Sequence, residues 1–144
     1  MILRQRREFA GSYCGSRRKL LNFLANGMGV SEPLIQATLL GEAIENGPMA
    51  VFVADEQGKY VAVNRAACVL LGYARDELLR LQVAEVARYE EAAGEWTEML
   101  KTGTRVGIST LTRKNGSTLE FSYVAGATTV AGMPVYVSVG VGAA

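Results

Sequence analysis

Around Asn46-Gly47-Pro48 the spacing of apolar residues changes from helical to alternating, and that switch constrains the fold more than any other feature. Upstream, Leu34, Ile35, Leu39, Leu40 and Ile44 recur at roughly helical spacing. Ser31 is placed to cap that helix, Pro33 suits its first turn, and Asn46-Gly47-Pro48 stops it after about four turns. Downstream, "MAVFVAD" and "KYVAVN" alternate with period two around a turn at Glu56-Gln57-Gly58, the pattern of a β-hairpin. A chain that makes this switch must pack helices against a sheet, since neither element buries its apolar face alone.

The rest of the chain extends the pattern. Asn64 has the side chain of an N-cap, residues 65–71 continue as helix, and Gly72 supplies the backbone freedom to end it. "ARDELLRLQVAEV" reads as a second helix with Asp76 and Glu77 in its first turn. "RYEEAAGEWTEMLKTG" reads as a third, with Trp96, Met99 and Leu100 on one side and Thr102-Gly103 as its stop. Three β-rich segments follow, "TRVGISTLTR", "STLEFSYVAGATTV" and "MPVYVSVGV", with turns at Asn115-Gly116 and Ala131-Gly132. This order predicts an α+β fold: a five-stranded antiparallel sheet, short helices packed on one face, and an N-terminal leader helix. The expected organisation is a basic, flexible leader over 1–30, an amphipathic leader helix over 31–47 and one domain over 48–144. Within the leader, "KLLNFLANG" has the pattern of a short helix, and Met28 just after it makes an upstream start-site artefact the alternative account of what precedes it.

Composition removes whole classes of function. At 144 residues the chain has room for one core. No run approaches the roughly 18 apolar residues of a membrane span, and Gly, Ser, Tyr and Cys interrupt the start where a secretory signal needs an apolar core. The chain has no histidine, which excludes His-ligated zinc, His-ligated haem and any Ser/His or Cys/His dyad within it. Its two cysteines, Cys14 and Cys68, lack metal-ligand spacing, so a reduced cytoplasmic domain is expected. Six basic residues against one acidic lie between positions 1 and 28, and nine against thirteen in the remainder. That basic stretch is broken by Gly and Ser without interleaved aromatics, so nucleic-acid binding is not expected. Nor is catalysis: Asp76-Glu77 and Glu90-Glu91 are adjacent pairs that do not converge on one substrate, and neither a serine elbow nor a phosphate-binding loop is present.

"VADEQGKYVAVNRAACVLLGYARDELL" resembles the PAS domain family in its order of acidic residue, turn, alternating strand, Asn, Ala-rich helix, Gly-Tyr and Glu-Leu. "LTRKNGSTLEFSYV" resembles the later PAS hairpin, and the resemblance covers roughly Leu40 to Val141. It implies a sensor or interaction module rather than an enzyme, with a small cavity between sheet and helices. It also implies a homodimer coupled to an effector such as a histidine kinase, cyclase or transcription regulator. Against the light-sensing LOV branch, the aligned segment "RLQVAEV" puts Val83 where the photoactive cysteine belongs, and Leu81, Glu85 and Val86 do not supply the flavin's polar partners. Against the haem branch, the third helix has no histidine. No resident cofactor is therefore expected, and a non-covalent small ligand is.

Alternation in "TLEFSYV" sends Leu119, Phe121 and Tyr123 to one face and Thr118, Glu120 and Ser122 to the other. The resemblance points the apolar set inward, towards Trp96 and Met99 on the third helix and Leu78 and Val83 on the second. These residues, with Tyr123 and Ser138 as orienting groups, make the expected pocket for a small apolar or aromatic ligand; a filled core is the competing reading. For partner contact the candidates are Leu34, Leu39 and Leu40 on the leader helix, extended by Leu20, Leu21, Phe23 and Leu24. Cys68 and Val69 join them, because they fall where PAS helices carry outward polar residues. Cys68 is read as a contact and not a nucleophile, its nearest cation in sequence being Arg65. "VSVGVGAA" lacks the Asp-Ile-Thr-like junction to a signalling helix, which fits either an excised sensor domain or a stand-alone protein acting on a partner.

Overall fold

The computed structural model describes residues 31–87 and 101–143. The chain divides into two compact units, Met1–Ala43 and Ile44–Ala144, so the boundary falls inside the first described helix, α1 (Pro33–Glu45). Within α1, Ile35 is buried while Leu34, Leu39 and Leu40 are exposed. Its cap is Glu32 rather than Ser31. The Glu32 carboxylate accepts from the Ile35 N–H at 3.1 Å and its carbonyl accepts from Gln36 N–H at 3.0 Å. Glu32 directly precedes the Pro33 that opens the helix, so it, and not the serine one residue earlier, reaches the unpaired first-turn donors.

The second unit runs β1 (Ala50–Ala54), β2 (Tyr60–Val63), α2 (Arg65–Leu71), α3 (Arg75–Leu78), α4 (Val83–Val86), β3 (Thr104–Thr112), β4 (Thr118–Val130) and β5 (Met133–Ala143). The five strands form one antiparallel sheet in the order β2-β1-β5-β4-β3, so the last strand lies at its centre, bonded to the first and to the fourth. The expected α+β architecture is the one observed. Asp55 organises the first hairpin: its Oδ1 accepts from Gln57 and Lys59 N–H at 2.9 and 3.0 Å. The last hairpin turns through Ala131 and Gly132, both at positive φ as a two-residue turn requires.

Asn64 caps α2 as expected, its Oδ1 accepting from Ala67 N–H at 3.1 Å. It also does more than a cap. The same oxygen accepts from Val51 N–H at 2.9 Å, and Nδ2 donates to the carbonyls of Ile44 and Met49 at 2.7 and 2.8 Å. One buried amide thus ties the end of α1, the start of β1 and the start of α2 together. Gly72 ends α2 in the left-handed conformation, with its N–H on the Cys68 carbonyl at 2.9 Å.

The expected second helix is two single-turn helices. Between α3 and α4 the backbone is drawn out to meet the first hairpin: Tyr60 N–H donates to Leu81 O at 3.2 Å, Val83 N–H to Gly58 O at 2.8 Å, and Lys59 bridges Gln82. Those contacts consume backbone groups that a continuous helix would pair internally. A capping box then restarts the helix, Glu85 reaching back to Gln82 N–H at 2.7 Å. Of the expected third helix, residues 88–100, including Trp96 and Met99, lie outside the described residues.

Leu119, Phe121, Tyr123 and Ala125 of β4 are buried in the core and Thr118, Glu120, Ser122 and Val124 are exposed, the sidedness expected from the alternation. On β3 and β5 the alternation holds only in part, with Leu111 and Val135 buried. Ser109 is buried while Val106, Ile108 and Val141 lie in solvent. On β5 the inward positions include glycines. A Cβ at Gly140 would lie 2.1 Å from Ser122 O and 2.9 Å from Phe121 Cζ, and one at Gly142 would lie 2.5 Å from Leu70 Cδ1. Bare backbone at the sheet's centre is what lets Phe121 and Leu70 settle onto it.

Candidate functional site

Between the inner face of the sheet and α4 lies a cavity of about 90 Å³. Its wall is mostly aromatic. Phe52 on β1 meets Tyr60 on β2 with ring centroids 5.6 Å apart and meets Phe121 on β4 edge-to-face at 5.7 Å, while Phe121 and Tyr123 stack at 6.0 Å. Val83 and Ala87 close the helical side, where Ala87 bridges to Leu111 on β3. Ala54, Ala125 and Tyr136 complete much of the apolar lining. Burial holds the Tyr60 phenol well above its ordinary pKa of 10.0, so it stays a neutral hydroxyl at any physiological pH.

The polar groups of the lining come from four strands: Tyr60 on β2, Arg105 and Ser109 on β3, Tyr123 on β4, and Tyr136 and Ser138 on β5. Arg105 Nε donates to the Tyr123 hydroxyl at 2.8 Å. Gly107 pairs with Tyr123 across the strands, and a Cβ there would make an ordinary contact with that hydroxyl at 3.5 Å. Ser109 Oγ is buried without a hydrogen-bond partner. Arg105 is the one charged residue among the described residues of the lining.

Of the residues expected at the pocket, Val83, Phe121, Tyr123 and Ser138 line this cavity. Leu78 and Leu119 are buried in the core but stand outside its lining, and Trp96 and Met99 are not among the described residues. Phe52, Tyr60, Arg105, Ser109, Leu111 and Tyr136 line it without having been singled out. For β3 the alternation rule misleads: in "RVGIS" the apolar residues are Val106 and Ile108, which face solvent, whereas Arg105 and Ser109 face inward. The pairing of Ser109 with the buried Phe121, and of Leu111 with the buried Leu119, reveals the true inner face.

The expected contact residues Leu34, Leu39, Leu40 and Val69 are all exposed, Val69 at 75%. Cys68 is half-buried and packs against the core. Burial raises its thiol pKa, and Arg75, not the sequence neighbour Arg65, opposes that rise through charge and a hydrogen bond to the sulfur. Arg75 opens α3 just after the Gly72 turn, which folds it back beside Cys68 and into an ion pair with Glu45. Among the described residues no three His, Cys, Asp or Glu side chains converge to hold a metal, and no described helix is long and apolar enough to cross a membrane.

A family model described as the PAS fold matches residues 39–139. No curated protein matches the chain. Among solved structures, the PAS domain of an HTR-like protein from Haloarcula marismortui is 22% identical, with a TM-score of 0.67 over 75% of this chain and 92% of that one. A domain of a sensory box sensor histidine kinase/response regulator from Geobacter sulfurreducens is 23% identical, with a TM-score of 0.65 over 77% and 98%. An RNA-binding light-oxygen-voltage receptor is also similar, at 18% identity and a TM-score of 0.65, over 79% of this chain and 35% of that one.

Proposed function

The chain belongs to the PAS family, and from that premise we propose that it is a sensory domain whose cavity takes a small apolar or aromatic ligand. Modules of this family are typically sensory or signal-transducing, and the similar structures include domains of sensor histidine kinases. The observation that carries the ligand reading is the aromatic-walled cavity with a few convergent polar groups, the usual form of a small-molecule site. A ligand that binds one arrangement of helices over the sheet more tightly shifts the population towards it. The central strand β5 is suited to pass that shift on, since it carries Ser138 at the cavity and bonds to β1 and β4 on either side. The effector is then a partner or another domain, and the setting is the cytoplasm.

Among the described residues the lining of the cavity offers no thiol for a covalent flavin adduct. Val83 lines it with a side chain that forms no thioether. Native mass spectrometry of the protein purified from cells, with melting-temperature shifts against a library of small apolar and aromatic fragments, tests the reading. A retained small molecule or a saturable shift is expected; no shift with any fragment would overturn it.

A second reading, a ligand-free dimerisation or interaction module, is favoured by the outer face of the sheet. Val106, Ile108, Val124 and Val141 are each more than half exposed. They are neighbours by register: Val106 pairs with Val124, and Ser122 pairs with Ile108 on one side and Val141 on the other. A solvent-facing sheet surface is ordinarily polar, and a contiguous apolar one marks a partner's place.

A further inference from the structure

Ser109 sits on the inner face of β3 at 4% exposure, and among the described residues its Oγ is the one fully buried side-chain oxygen or nitrogen without a hydrogen-bond partner. Buried hydroxyls are nearly always paired, and an alanine would fill the same position without the cost of an orphaned polar group. Strand register sets Ser109 opposite Phe121, and both residues line the cavity. Phe52, Leu111 and Ala125 add apolar wall around them. A serine oxygen lies one rotatable bond from the backbone, so this hydroxyl can turn towards an occupant of the cavity without moving the strand. It then donates to a carbonyl oxygen, or donates to or accepts from a hydroxyl. One hydroxyl satisfies one polar atom. An ionised group of either sign set against the same wall needs several partners to replace its hydration, and the Nε–H of Arg105 is already engaged by the Tyr123 hydroxyl.

Resting on the reading of this cavity as a ligand site, we infer that Ser109 selects the ligand's functional group: an uncharged molecule with one oxygen on an apolar body, a small ketone or alcohol, whose oxygen is held by Ser109 Oγ. Its hydrocarbon part lies against Phe52 and Phe121. A hydrocarbon of the same shape would seal the Ser109 hydroxyl in without a partner. A site with a buried hydrogen-bonding group rejects an analogue that lacks the matching atom far more strongly than an apolar pocket rejects an extra methylene. The aromatic wall therefore sets the shape of what enters, and Ser109 sets its chemistry.

The test is a two-dimensional amide NMR titration of the full chain with 2-butanone, 2-butanol and 2-methyl-1-butene, the last differing from the ketone only in a methylene for the oxygen. Butyrate and butylammonium serve as charged counterparts, and xenon probes the cavity itself. The ketone and the alcohol are expected to move the Ser109 and Phe121 resonances saturably and to bind at least roughly tenfold more tightly than the alkene, the difference made by one hydrogen bond to a buried hydroxyl. Both ions are expected to bind more weakly than the ketone. In Ser109→Ala the preference for ketone over alkene should vanish while xenon enters as before. The melting temperature of that variant should not fall, because a hydroxyl without a partner does not help to hold the fold. A preference that survives Ser109→Ala, tighter binding of either ion, or a clear fall in the variant's melting temperature overturns the inference. If xenon enters and the unaltered chain binds ketone and alkene equally, this inference alone falls. If neither xenon nor any of the compounds perturbs the protein, the cavity reading falls with it.

Discussion

Asn64 shows how much one side chain can carry in this fold. Its amide satisfies two backbone donors and two backbone carbonyls across three elements. Asn64→Ala leaves all four to find other partners in a buried site, so a loss of about 3 kcal/mol in urea unfolding is expected. Asn64→Asp keeps the accepting oxygen but sets a carboxylate against the Ile44 and Met49 carbonyls, and it should recover only part of that loss. Tyr60 sets the alkaline limit. The folded protein holds its proton to a pH above the ordinary 10.0, so the unfolded chain ionises first. The stabilisation is complete below pH 10.0 and is lost as pH rises through the folded value. Tyr60→Phe should flatten that alkaline decline, as melting temperatures measured between about pH 8 and pH 11 will show. Asn64 could be read from the sequence as a cap, because capping is local. Its bonds to Ile44, Met49 and Val51 could not, because they arise only when the β1–β2 hairpin returns the chain to its start.

Among the elements, those whose alternation is governed by their own neighbours were legible, and those governed by distant packing were not. β4 alternates Leu119, Phe121, Tyr123 against Thr118, Glu120, Ser122, and it sits in the sheet as that pattern requires. β3 and β5 follow the rule only in part, since their inward positions hold Arg105, Ser109, Gly140 and Gly142 beside Leu111 and Tyr136. The helix expected from Ala74 to Val86 breaks because its middle is claimed by the β1–β2 hairpin. Gly140 is the sharpest test of the close approach. In Gly140→Ala the new methyl meets the backbone oxygen of Ser122, which has no rotamer to yield, so destabilisation of about 3 kcal/mol is expected in chemical denaturation. The β3–β4 hairpin is anchored from the other end by Lys114, whose N–H donates to Leu71 O at 2.9 Å and whose ammonium pairs with Glu77 at 2.9 Å. That pairing lowers the pKa of Glu77 below its ordinary 4.5, so its contribution is present above pH 4.5 and is lost as pH falls through the depressed value. Glu77→Gln should remove this small acid-side slope and leave stability at neutral pH nearly unchanged, since the pair is solvent-exposed.

At the scale of the molecule, the sheet carries apolar side chains on both faces, and the core cluster of the described residues lies on the inner one. The inner face holds the Phe52–Phe121–Tyr123 cluster and the cavity. The outer face presents Val106, Ile108, Val124 and Val141 to solvent along three adjacent strands. A second copy offering the same face would cover these residues by two-fold symmetry, in which each patch meets its own counterpart. The two faces share strands: Ser109 lies next to Ile108 on β3, and Tyr123 next to Val124 on β4. An occupant of the cavity and a partner on the outer face therefore act on the same backbone, which is a physical basis for coupling one to the other. Ile108→Glu, which puts a charge at the middle of the patch without touching the core, should convert a dimer to a monomer in analytical ultracentrifugation while leaving the melting temperature of the monomer within a few degrees. If the unaltered chain sediments as a monomer at about 100 μM, a concentration at which a micromolar dimer would be well populated, the outer face does not bind a second copy.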